Sequence, residues 1–85
     1  MNEQHFREVF ATRLRKGLCY NQRNRRAMTQ HELAQITGLH YSLISKFARA
    51  KRTPNALHLR LIADALTVSI DWLCALREHE GEKAI

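Results

Sequence analysis

Between Met28 and Pro54 the chain reads MTQHELAQITGLHYSLISKFARAKRTP, and this stretch carries the side chains best able to do chemistry. Tyr41, Ser42, Ser45, Lys46 and Arg49 fall off the Ile44 and Phe47 stripe that a helix from about Tyr41 to Arg49 would bury, so they are left to act outward. Lys51 and Arg52 follow at once and add positive charge past the helix end. A short helix, a tight glycine turn at Gly38, a second short helix and then cations is the sequence form of a helix-turn-helix, whose second helix lies in a DNA major groove.

The surrounding elements must hold that helix in place. Phe6, Val9, Phe10 and Leu14 recur at three- and four-residue steps, predicting an amphipathic helix from about Glu3 to Gly17 or beyond, capped by Asn2. Tyr20 to Ala27 has no apolar period and is a connection or a frayed helical end, which offers Arg23, Arg25 and Arg26 to phosphates. Thr29 and Glu32 form a capping box, so a helix starts there; Leu33, Ala34 and Ile36 supply its buried face, and Gly38 ends it. Asn55 caps a fourth helix with Leu59, Ile62, Ala63 and Leu66 inside, and Ser69 caps a fifth closed by Ile70, Leu73 and Leu76. The expected architecture is an all-α, compact five-helix bundle over residues 1–77, with a frayed polar tail over 78–85.

Charge is distributed unevenly. From Arg13 to Arg60 eleven Lys and Arg face a single acid, Glu32, while both ends are mildly acidic, within a total of +6. One region is therefore built to meet a polyanion. Other classes find little support. No apolar run approaches the roughly 20 residues of a membrane span, and the N-terminus lacks a secretory signal's apolar core, which predicts a cytoplasmic protein. Cys19 and Cys74 have no partner at metal-ligand spacing and read as reduced thiols. Glu78, Glu80 and Glu82 lie in the tail, the histidines at 5, 31, 40, 58 and 79 make no ligand set, and no glycine-rich phosphate loop is present. We expect no enzyme, no cofactor, no metal and no small-molecule substrate.

Residues 28 to 76 resemble the DNA-binding domain of lambdoid phage repressors and Cro proteins, the XRE family of bacterial regulators. The matching pieces are TQxELA at Thr29 to Ala34, the turn glycine Gly38, the pair Ile44 and Ser45, the basic KRTP at Lys51 to Pro54, and ALTVSIDWL at Ala65 to Leu73. The resemblance implies a five-helix domain that binds double-stranded operator DNA as a dimer, a repressor of phage, prophage or bacterial origin acting at an inverted repeat. It places Gln30 at the start of the second helix, where it can hold a phosphate. His40, Tyr41, Ser42, Ser45 and Lys46 fall where the family contacts base edges. Arg49, Lys51, Arg52 and Thr53 fall where it grips the backbone, contacts that position without reading sequence.

Three departures stand out. Leu43 occupies a usually polar position, where it can meet a thymine methyl or tuck against the domain. His40 replaces the common Ser or Thr cap. Ala50 stands where a glycine is expected, and a left-handed alanine there would carry roughly 1 kcal/mol of strain.

Leu57 and Leu61 are four apart on a face of the fourth helix distinct from its inner one. With Trp72 and Leu76 they are assigned to a self-association surface, a simple extension of the core being the alternative, and a chain of this length, with a thin core, gives a second reason to expect a dimer. The alternative function is an XRE-type antitoxin or accessory module that binds a protein partner and represses its own operon secondarily. A third, a non-specific nucleic-acid coater, would not distinguish operator from scrambled DNA.

Overall fold

The computed structural model describes residues 2–20 and 26–75, and the fold is all-α. Five helices follow one another: α1 (Glu3–Cys19), α2 (Gln30–Thr37), α3 (Tyr41–Ala48), α4 (Ala56–Leu66) and α5 (Ile70–Leu73). Each starts on the cap read from the sequence. Asn2 Oδ1 accepts from the His5 amide at 2.7 Å, Asn55 Oδ1 from His58 at 2.8 Å and Ser69 Oγ from Trp72 at 3.0 Å. At α2 the box is reciprocal, with the Glu32 amide donating to Thr29 Oγ1 and the Thr29 amide to Glu32 Oε1, both at 3.0 Å. Four free backbone donors at each helix start make such caps worth about 1 kcal/mol apiece.

The helix ends are less conventional. Gly38 closes α2 at φ 76, where it needs no Cβ clearance, and its amide donates to the Ala34 carbonyl. Beyond α3 the Lys51 amide returns to the Lys46 carbonyl at 2.8 Å and the Ala50 amide to Phe47 at 3.1 Å, which puts Ala50 in the left-handed position of a Schellman ending at φ 59. The strain expected at Ala50 is therefore present. α4 ends the same way on Thr67 (φ 61), with Val68 returning to Ala63, and Ala75 follows α5 at φ 59.

One core joins the helices. Phe10 and Leu14 of α1, Leu33 of α2, Ile44 and Phe47 of α3, Ile62 and Leu66 of α4, and Trp72 and Leu73 of α5 are all essentially inaccessible. Met28 plugs the approach to α2, with its amide bonded to the Leu18 carbonyl at 2.7 Å. Gly17 lets Leu66 come close, since a Cβ there would lie 2.9 Å from Leu66 Cδ1. Three apolar assignments change. Ile36 is 44% exposed and Ile70 37%, so among the described residues neither is part of the closed core. Leu59 is only half-buried against the core.

Trp72 also moves, from the assigned self-association surface to the interior, at 2% exposure. The guanidinium of Arg13 lies 5.0 Å from its ring centre. That cation–π contact, on the order of 1 to 2 kcal/mol when shielded from water, takes Arg13 out of the polyanion-facing set. Cys74 is buried, and burial, then the Asp71 charge, pushes its thiol up in pKa, in keeping with an inert reduced cysteine. Cys19 is exposed and also unpaired. Among the described residues no helix is long and apolar enough to cross a membrane.

Replacing Ala50 by glycine removes the left-handed Cβ strain. Urea denaturation of Ala50→Gly should show a gain of about 1 kcal/mol. A net destabilisation would mean that the Schellman ending of α3 is not strained.

Candidate nucleic-acid interface

Three contacts with α1 seat α3. Phe47 meets Phe10 edge-on, ring centres 5.5 Å apart at 83°, and Ile44 is fully enclosed beside it. Arg15 Nη1 donates to the Ala48 carbonyl, satisfying one of the orphan acceptors at the helix end. Thr53, just past α3, accepts from Arg7 Nε at 2.7 Å and donates to Glu3 Oε2 at 2.6 Å, while Arg7 and Glu3 pair at 3.0 Å. The Thr53 hydroxyl, then the Arg7 charge, lower the Glu3 pKa. This clasp engages the Thr53 hydroxyl, assigned to phosphates, with α1.

With its apolar side fixed, α3 turns Tyr41, Ser42 and Lys46 to solvent, with Ser45 half-buried. Leu43, assigned to base edges with a tucked position as its alternative, is half-buried and packs against the core. Arg49 is exposed and folds back so that Nε donates to the Ser45 carbonyl at 3.3 Å. Lys51 and Arg52 are exposed on the loop that follows. Residues 33–63 contain no carboxylate, so α3 and the loop after it carry these four cations with no acid of their own, and the Glu3 carboxylate that reaches Thr53 is paired with Arg7.

The α2 side is different. Gln30 opens α2 half-buried. Arg26, assigned to phosphates, grips Glu32 through two bonds, the shorter 2.7 Å. The Arg26 hydrogen bond, with that from the Thr29 amide, holds Glu32 down at a pKa of about 2. The acid that would repel a polyanion is thereby neutralised at the helix start. Arg25 lies outside the described residues, as does Leu76.

Two histidine contacts escape sequence reasoning. The His31 ring stacks flat on Tyr41, centres 3.9 Å apart at 4°, at the edge of an open groove lined by Gln35, Gly38, Leu39 and His40. Nothing in the spacing of residues 31 and 41 announces it, because two helices must meet before the rings do. His58 completes a capping box with Asn55 and lies against Phe47. Its position three after a cap residue was a readable signal. His40 serves as the α3 cap, accepting from the Ser42 amide at 3.1 Å.

A family profile described as helix-turn-helix matches residues 20–73. The chain belongs to the XRE family of helix-turn-helix proteins, Cro/C1 type. No curated protein and no solved structure gives a significant match. The matched span contains α2 to α5, so α2 and α3 are the helix-turn-helix and α4 and α5 its support. The family is one of DNA-binding transcription regulators and is not typically enzymatic.

Two outcomes follow. Burial, then the Arg52 charge, lowers the His58 pKa below the ordinary 6.5, so the neutral ring contributes stability above that value and loses it as pH falls toward the folded pKa. Thermal midpoints should fall from about pH 7 to about pH 5, and His58→Gln, which keeps a capping-box acceptor without a titrating ring, should lessen that fall. An unchanged slope would contradict it. A double-mutant cycle of His31→Ala with Tyr41→Ala should give a coupling of about 0.5 kcal/mol or more; simple additivity would refute the stack.

Proposed function

We propose that this regulator is a repressor that binds an inverted-repeat operator as a dimer, with one α3 in each of two successive major-groove faces about 34 Å apart. The observation that carries the reading is the polar face of α3, anchored by Ile44 and Phe47 and flanked by Lys46, Arg49, Lys51 and Arg52, in a stretch, residues 33–63, without a carboxylate. Tyr41, Ser42, Ser45 and Lys46 contact base edges, with His40 at their margin. Gln30, Arg49, Lys51 and Arg52 hold phosphates. Repression follows from occupying DNA that polymerase needs.

The dimer rests on Leu57, 62% exposed, and on Leu61, half-buried one turn later. Full exposure of a leucine of this kind forgoes roughly 1.5 to 3 kcal/mol of burial, which a second copy would recover. A toxin-like protein partner would cover the same stripe, and the size of the purified protein separates the two.

Lys46→Ala should relax sequence choice and cost about 1 to 3 kcal/mol on a selected site, whereas Arg52→Ala should weaken all duplexes alike and reduce the salt slope by about 1. The reverse pattern would exchange their roles. Leu61→Glu should give a folded monomer by light scattering. A folded Leu61→Glu protein that remains dimeric would remove the stripe from the interface.

A further inference from the structure

The first turn of α3 fixes the direction of one hydrogen bond that sequence leaves open. A serine hydroxyl rotates to donate or accept, so it ordinarily reads no particular base. Ser42 is constrained. His40 Nδ1 lies 3.1 Å from the Ser42 amide nitrogen and 2.8 Å from Ser42 Oγ. A backbone N–H can only donate, so Nδ1 presents its lone pair and the imidazole proton sits on Nε2. The proton between Nδ1 and Oγ must then come from the hydroxyl. Ser42 turns its only O–H inward to His40 and leaves lone pairs facing solvent.

Resting on the DNA-binding reading above, we infer that His40 is a positioning residue that makes Ser42 an obligate acceptor, so the base opposite Ser42 carries an exocyclic amine in the major groove. Only adenine, through N6, and cytosine, through N4, offer that donor. Guanine presents N7 and O6 and thymine presents O4, and each would set a lone pair against a lone pair. A Ser or Thr cap in place of His40 carries a hydroxyl proton of its own and would not impose this direction, so the specificity arises from the histidine.

The test has two arms. In the free protein, the ¹⁵N spectrum of His40 in mildly alkaline solution should show a protonated Nε2 and a bare Nδ1; a protonated Nδ1 overturns the inference without reference to DNA. Selection of duplexes from random sequence should then yield one position per half-site that admits adenine or cytosine over guanine or thymine by about fivefold or more. Ser42→Ala should abolish the preference at that position alone. His40→Ala should broaden it to all four bases, and His40→Asn, whose side-chain oxygen can accept from both Ser42 groups, should restore it. A wild-type preference for guanine or thymine at the Ser42-dependent position, or a His40→Ala protein with unaltered choice, overturns the inference. If no duplex is selected, the DNA reading fails and this inference with it, whereas a failure confined to the Ser42-dependent position leaves that reading standing.

Discussion

The edge-on contact between Phe47 and Phe10 is the constraint on which the presentation of α3 depends. An eight-residue helix is too short to persist alone in water, since nucleation costs more than a few turns return. Its stability is tertiary, drawn from Phe47 and Ile44 in the core and from the Ala48 carbonyl held by Arg15. Removing a buried phenylalanine costs about 3 to 5 kcal/mol, comparable with the whole stability of a small domain. The same packing that folds the chain therefore decides which side of α3 meets solvent. Polar groups are outside because the apolar ones have no alternative.

Around that anchor the cations divide into two populations. Arg7, Arg13, Arg15 and Arg26 are bound into the structure, to Thr53 and Glu3, over Trp72, to a helix-end carbonyl and to Glu32 respectively. Lys46, Lys51 and Arg52 lie exposed on α3 and the loop after it, in a stretch, residues 33–63, that contains no acid. The first group positions and the second projects. A count of charge along the chain treats them alike, although only the second can meet a phosphate without giving up an internal contact.

Much of this was legible in the residues. The caps at Asn2, Thr29, Asn55 and Ser69 and the glycine that ends α2 are local features, set by chemistry within one turn, and each is where spacing puts it, while the left-handed Ala50 is expected only from the family resemblance. What spacing does not contain is the neighbour. Ile36 is apolar at helical spacing yet exposed among the described residues, and Trp72, apolar and near the end of the domain, suits an interface until Arg13 and the core enclose it. The Thr53 hydroxyl is claimed by residues about 50 positions away, and the His31–Tyr41 stack needs two helices to cross first. Long-range partners decide these cases, and their identities appear only when the chain is folded.

The central claim is that α3 enters the duplex with its exposed polar edge while the core side stays closed. Amide chemical shifts, recorded as a duplex selected from random sequence is added at low ionic strength, test it most directly. The account predicts that the changes concentrate on Gln30, on residues 40–46 and on residues 49–52, with those of α5 nearly still. Shifts centred on α4 and α5, or no response to any duplex, would contradict it.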